Sequence, residues 1–506
     1  MKLSLRPLTP WLVSTFALAA RLLPSPRTID DAYITFRYAR NLLAGHGLVF
    51  NPGEAVLGTT TPLYSILMAG LGAIFGGAGA PFPEIAWITN AALDAAGCFL
   101  LILIGRKLGS ELAGLSAGII WAIAPMSVTF AIGGMETSLF ITLLLATYYL
   151  ALDERFRLAA LSGAMLLLTR PDGLLFIGPL AIERLRQRWP EFRERRLARE
   201  SILELAFFLL PLLLWGLVAW LYYGSPIPHS VAAKVSAYRL PPTAGLVRLL
   251  QHFGTPFLGH LTFGPYWIAV GLFLFPVLFF LGAMRALRRR ADAWPLLLSP
   301  WLYMLVYAFA NPLLFRWYLA PPLPFYFMGI FLGVDRISKD LRSNLPSIAA
   351  VAAATFLTLI GWTFSPDHGP DRPAPEMAFT KLELMYEEVA RELRDDIQSE
   401  EVLAAADVGA LGYYSEATIL DTLGIVSPQS TRFYPTDPDY YVINYAIPPE
   451  LVVELAPDYL VILEVYGREG LLVDSQFVAD YSLRRTLQTD IYGSRGMLVF
   501  IRANKP

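Results

Sequence analysis

The chain has a single cysteine, Cys98, set in an apolar run. A lone thiol excludes an internal disulfide and a cysteine-built metal site, and it leaves the redox compartment unreadable. Charge is scarce too: 16% of residues are Asp, Glu, Lys or Arg, and 40 basic against 42 acidic residues leave a net charge of -2. Such a chain lacks the basic field that nucleic-acid binding needs, so no nucleic-acid partner is expected. Internal repeats and low-complexity tracts are also missing from the sequence.

What is abundant is apolar surface, 55% of residues with a mean hydropathy of +0.49. Runs near 20 residues recur, each long enough to cross the ~30 Å hydrocarbon layer as a helix. Basic residues cluster at Lys2/Arg6, Arg106/Lys107, Arg155/Arg157, the seven arginines from Arg184 to Arg199, Arg285/Arg288/Arg289/Arg290 and Arg336/Lys339/Arg342. The positive-inside rule puts all six clusters in the cytoplasm. Crossings are then expected near 9–24, 85–105, 112–131, 138–152, 158–169, 173–183, 202–223, 266–284, 293–310, 318–333 and 347–364, about 11 transmembrane helices with the C-terminus outside. The run 62–80 ends in "FGGAGAPFP", has no flanking charge, and reads as a helix at the outer interface or dipping into it. The N-terminus also fits a signal peptide, with "ALAA" before "RLLPSP"; an uncleaved first helix is the expectation.

Past residue 364 the composition changes. "TFSPDHGPDRPAPEM" is a linker, 379–398 has the period of an amphipathic helix, and "EVLAAADVG", "EATILDTLG", "PDYLVIL" and "GMLVFIRA" read as buried strands. The expected architecture is an α-helical polytopic protein of the inner (plasma) membrane. Residues 1–364 form its transmembrane domain with a first outer loop at 25–84, and 365–506 form a small extracytoplasmic α/β domain. Asp407 in "DVG" and Asp421 in "DTLG" read as strand-end turn residues.

Polar groups concentrate after the first apolar run, in "TIDDAYITFRYARNLLAGHGLVFNPGEAVLGTTTPLY". Ala32, Phe36, Ala39 and Leu43 share one helical stripe; Tyr33, Arg37 and Asn41 share another. This is a helix along the membrane surface with its polar face toward protein or water. Asp30 stands where an N-cap would, and Asp31 complements the helix dipole, but capping needs only one carboxylate. Further polar clusters fall outside on the same topology: Glu136 in "GGMETS", Arg170 and Asp172 in "TRPDG", His229 and Lys234 in "YYGSPIPHSVAAK", and Arg316 in "NPLLFRWYLAPPLP". Charge near lipid is costly unless it faces a cavity or a partner. Asn90 and Asp94, four apart on a crossing, read as interhelical hydrogen-bonding groups.

The first block, followed by "GMET", "TRPDG", "YYGSPIPHSVAAK" and "FRWYLAP", resembles the GT-C membrane glycosyltransferases, most closely the group around the mycobacterial terminal arabinofuranosyltransferases, over residues 1–340. The resemblance implies transfer of a sugar from a polyprenyl-phosphate donor to a glycan, lipid or protein acceptor on the extracytoplasmic side, with membrane lipids as surroundings. It implies a catalytic acidic pair at Asp30 and Asp31, with the first acid, Asp30, as general base. Glu136 is expected to orient the acceptor or pair with a cation. Arg316 and Lys234 are the expected phosphate ligands, with Arg170 a third. Tyr33, Arg37, His46, Asn51, Asp172 and His229 complete the expected substrate site. The acids are adjacent instead of spaced, so no metal ligand set is assigned and a divalent ion is not expected. The competing classes are a transporter or flippase of lipid-linked sugars, which would show repeated halves and midplane charge, and a non-catalytic membrane protein of the same fold.

Overall fold

The computed structural model describes residues 8–194, 199–257, 264–363 and 372–503. Lys2, Arg6, Arg195, Arg196 and the linker residues 364–371, with the expected domain boundary there, lie outside the described residues. The chain divides into two compact units. A helical unit takes Met1–Arg27, Ala86–Trp215 and Pro242–Phe379; a mixed unit takes Thr28–Ile85, Gly216–Pro241 and Thr380–Pro506. The tail therefore folds together with the first loop and with 216–241, where the sequence splits the chain near residue 365. The reason is local: Arg37 and Arg40 on the first-loop helix, and Asn51 in the turn after it, donate side-chain hydrogen bonds to carbonyls of the tail backbone.

Among the described residues five helices are long and apolar enough to cross a membrane: Phe82–Lys107, Arg199–Tyr223, Pro265–Arg289, Ala291–Ala310 and Arg316–Asp340. A sixth follows if Glu111–Ile123 and Pro125–Ile132, bent by 50°, count as one span. Pro125 opens the second member of that pair, where it can start a helix but not continue one. The expected count of eleven is not confirmed. Thr137–Leu152, Phe156–Thr169 and Leu345–Ile360 are apolar helices of 14 to 16 residues. At 1.5 Å per residue that is about 21–24 Å of helix, short of the hydrocarbon thickness.

The helical unit is cross-braced by a buried arginine. Arg21, on the helix Thr9–Leu22, is fully buried. Its Nε donates to Asp94 Oδ2 at 2.8 Å, Nη1 to the carbonyls of Ala17 and Ala122, and Nη2 to the Trp121 carbonyl and Ser127 Oγ. Every donor direction of the fork is used, which is what a buried guanidinium requires. Asn90 likewise donates to the carbonyls of Ala131 and Met135. The expected interhelical role of Asn90 and Asp94 is what the structure shows. Elsewhere the helices Pro265–Arg289 and Leu323–Asp340 touch backbone to backbone: a Cβ on Gly333 would lie 1.9 Å from the Leu278 carbonyl oxygen. Only glycine fits there.

In the mixed unit, five strands run in the order Thr418–Asp421, Val402–Ala405, Tyr459–Leu463, Met497–Arg502 and Tyr481–Leu487. The first three are parallel and the last two antiparallel. Four of them are the expected strands. Tyr481–Leu487 escapes sequence reading because, as an edge strand, most of it is exposed and polar. The helix Lys381–Arg394 buries Leu382, Tyr386, Val389, Ala390 and Leu393, one face at the helical period. The run 62–80 forms the helix Pro62–Phe75 within this unit.

Candidate functional site

The first-loop helix spans Asp30–Leu43, with extended Ile29 in the N-cap position. Asp30 does not cap its own helix. Its Oδ2 accepts from the Gly409 N–H at 3.0 Å and its Oδ1 from the Ala410 N–H at 2.8 Å. These amides open the tail helix Gly409–Ser415, so Asp30 caps that one instead. The approach is close enough that a Cβ on Gly409 would lie 1.8 Å from the Asp30 carbonyl oxygen. The Asp30 amide in turn donates to Glu383 Oε1 at 3.3 Å.

Three carboxylates act on one another here. Burial raises the proton affinity of Asp30 well above the usual carboxylate range. The charge of Asp407 adds to this, the Ala410 amide opposes it, and Asp31 and Glu383 add further. Burial raises Asp31 as well, but the ammonium of Lys234 opposes it. Asp407 is raised by burial, opposed by the Tyr386 hydroxyl at 2.7 Å and the Tyr466 hydroxyl at 3.2 Å, both of which donate to its Oδ2. Only a half-buried Asp31 carboxylate accepts no hydrogen bond from any described residue. Tyr33 is buried against Tyr413 and Tyr414, its hydroxyl 3.1 Å from that of Tyr414.

Other expected residues of this unit have structural duties. Arg37 is buried; it donates to the carbonyls of Phe50, Gly412 and Ala417 and to Asn51 Oδ1. Asn51 continues the seam through the carbonyl and amide of Ile419. Both residues stitch the first loop to the tail sheet. His46 is exposed on the turn after the first-loop helix. His229 opens the helix His229–Ala237, its amide donating to the Leu57 carbonyl; its Nε2 and the Ser230 Oγ are buried without a hydrogen-bond partner among the described residues. Lys234 follows on the same helix, placing a cation, an imidazole and a hydroxyl on a single element. Ser230 is an addition to the sequence reading.

In the helical unit, Arg170 grips Asp172 with both arms of its fork, at 3.0 and 2.8 Å, and faces Glu136 at 3.5 Å. The hydroxyls of Tyr303 and Tyr307 donate to Asp172 at 3.2 Å, and the guanidinium lies 4.6 Å from the centre of the Tyr318 ring. Arg170 and Glu136 are buried, and this ion cluster braces the short helices Thr137–Leu152 and Phe156–Thr169. Two carboxylates already engage the guanidinium, so the expected phosphate role of Arg170 finds its fork occupied. Arg316 is different. It donates to the Met377 carbonyl at 3.1 Å and lies over the Phe379 ring at 4.9 Å, with no carboxylate partner among the described residues. Arg248 comes close enough for the two charges to repel and is likewise without an acid among the described residues. His252, one turn beyond Arg248, holds that helix to the Arg316 turn through the Leu319 carbonyl, 2.8 Å away.

Sequence reading missed Arg248 and Asp407. The amphipathic "AGLVRLLQHFG" and the placement of "DVG" directly after a buried strand were the available signals. A cavity of about 500 Å³ lies among Tyr148, Phe156, Ile177, Arg188 and Leu205, and it contains none of the expected site residues. No group of three or more metal-ligating side chains converges among the described residues.

Residues 376–500 match the family described as "Domain of unknown function (DUF8728)". Over 161 residues the chain is 32% identical to the terminal beta-(1->2)-arabinofuranosyltransferase of Mycobacterium tuberculosis, a stretch covering 30% of this chain and 24% of that protein. The match thus spans about a quarter of the curated relative. ArnT from Cupriavidus metallidurans, solved bound to undecaprenyl phosphate, aligns with a TM-score of 0.58 at 11% identity over 99% of this chain and 98% of that one. The archaeal oligosaccharyltransferase AglB from Archaeoglobus fulgidus, in complex with an inhibitory peptide and a dolichol-phosphate, aligns with a TM-score of 0.53 at 13% identity over 98% of this chain and 74% of that one.

Proposed function

From the premise that this chain is an integral membrane protein with the GT-C fold, we propose that it transfers a sugar from a polyprenyl-phosphate donor to an acceptor hydroxyl on the extracytoplasmic face, with Asp30 as general base. The observation that carries this reading is the state of Asp30. It is held in one orientation by the Gly409 and Ala410 amides, and its proton affinity is raised by burial and neighbouring acids. A base works best when its proton affinity approaches the working pH and its geometry is fixed in advance. Asp31 sits beside it under the influence of Lys234, which favours the ionised form. Two carboxylates whose surroundings push their proton affinities apart suit divided roles. The acceptor O–H gives its proton to Asp30 as its oxygen attacks the anomeric carbon, and the bond from that carbon to the phosphate oxygen breaks. Charge then grows on the phosphate, where preorganised cations lower the barrier.

Arg316 with Arg248, two arginines without an acid among the described residues, fits a phosphate in the helical unit. The two neighbours' bound undecaprenyl phosphate and dolichol-phosphate support a lipid phosphate as the anion. The transporter reading loses its strongest residue, because the charge of Asp94 is locked to Arg21.

Radiolabel transfer from a panel of prenyl-linked sugars, in membranes containing the protein, tests the activity. Turnover with no member of the panel would defeat it. Arg316→Ala and Arg248→Ala are expected to raise the KM for the donor, each by roughly 10-fold or more, the loss of a charge-assisted bond worth about 1.5–3 kcal/mol. A fall in kcat at unchanged donor KM would remove both residues from the donor.

A further inference from the structure

The geometry points to Asp407, on the C-terminal domain, as a positioning residue that keeps the Asp30 carboxylate ready to take a proton. The inference rests on the reading of Asp30 as base. One short stretch of the tail does two things at once. Its amides at Gly409 and Ala410 hold both oxygens of Asp30, and its carboxylate at Asp407, two residues before Gly409, is close enough to act on the same group through its charge. The stretch is itself fixed. The strand Val402–Ala405 ends just before it, and the hydroxyls of Tyr386 and Tyr466 donate to Asp407 Oδ2. Tyr386 comes from the helix Lys381–Arg394 and Tyr466 from the turn after the strand Tyr459–Leu463, so two separate elements aim one carboxylate.

Burial favours the protonated form of Asp407, and the two tyrosine hydroxyls on its Oδ2 oppose burial and favour the ionised form. In its ionised form Asp407 repels negative charge on Asp30, which then takes a proton more readily than its amide bonds alone would allow. The amides give direction, and the facing acid gives affinity. The other groups around the pair are few. Asp31 faces both Asp30 and Asp407, and Glu383 faces Asp30. Lys234 faces Asp31. Tyr238 and Tyr445 face Asp407, and neither carries charge near neutral pH. Among these, Asp407 is the acid that acts most strongly on Asp30.

The role predicts a variant that is folded and mistuned. Asp407→Asn keeps an oxygen for the two tyrosine hydroxyls and removes the charge. The acid limb of its kcat/KM profile for sugar transfer should move to lower pH, while the alkaline plateau falls because the base is weaker. Tyr386→Phe, which makes Asp407 easier to protonate, should move the limb in the same direction by less. Both profiles are compared with wild type in the same membranes, using the donor found active in the panel and protease resistance of the tail as the folding control. An acid limb that stays in place for folded Asp407→Asn, while Asp30→Asn abolishes transfer, overturns the role of Asp407 and leaves the base assignment standing. Full transfer by Asp30→Asn overturns the base assignment itself.

Discussion

An Asp30→Asn protein is expected to lose sugar transfer by about 10²- to 10⁴-fold, the usual contribution of a positioned general base. The amide of asparagine has no useful proton affinity, so the acceptor hydroxyl must lose its proton to water. The structure adds a second effect that the experiment has to separate. Asparagine can offer its oxygen to only one of the two amides held by Asp30, and its own N–H must face the other. Leaving that pair mismatched costs about 1–3 kcal/mol of attachment between loop and tail. Protease resistance of the tail reports this loss, and initial rates with a radiolabelled donor report the chemistry. Asp30→Glu, which keeps the base but moves it by one methylene, should retain part of the rate. Full activity in folded Asp30→Asn would end the base assignment.

The raised proton affinity also fixes a sign for stability. Asp30 and Asp407 hold a proton more tightly when folded than in the unfolded chain. Their contribution is therefore favourable below the unfolded carboxylate value, and it is lost as pH rises through the higher folded values. The mixed unit should resist unfolding better under mildly acidic conditions than the same unit with both acids changed to asparagine would predict. Activity has the opposite sign, since the base must be ionised to work. A rate maximum on the alkaline side of the stability maximum is the combined expectation, checked by hydrogen exchange and rate measured across the same pH series.

The second large effect lies in the helical unit. Asp94→Ala should destabilise it by about 3–5 kcal/mol, because Arg21 is left as a buried charge without its counter-ion. The four remaining hydrogen bonds of Arg21, to three carbonyls and Ser127, satisfy its donors but not its charge. Replacing both partners, Arg21→Met with Asp94→Leu, should recover most of the loss, as apolar replacements of a buried pair often do. Thermal unfolding of the purified protein in detergent measures both. Equal destabilisation by the single and double changes would show that the two residues do not act as a pair.

The sequence made some of this architecture legible and hid the rest for definite reasons. Apolar runs marked the helices, because lipid contact leaves few polar residues between caps, but run length did not show where a run breaks. "SAGIIWAIAPMSVTFAI" reads as one continuous run, yet Pro125 divides it into two helices 50° apart. The four buried strands of the tail announced themselves by composition, whereas the exposed edge strand Tyr481–Leu487 did not. The polar residues of the first loop stood out by their density. What density could not reveal was which of them serve the fold. Arg37 and Asn51 are bound to backbone hundreds of positions away, a pairing no local pattern encodes. Arg170 reads from sequence as a phosphate ligand, while folding engages it with Asp172 and with Glu136, the acid expected to orient the acceptor or pair with a cation. Asp407 looked like an ordinary turn residue for the converse reason: its neighbours are on other elements.

The closeness of Gly409 to the backbone of Asp30 carries a consequence for biosynthesis. Asp30 emerges from the ribosome nearly four hundred residues before the two amides that orient it. Until that late segment arrives, a nascent polypeptide carries a first-loop carboxylate with no amides to aim it, so the loop and the tail take their shared arrangement only late in synthesis.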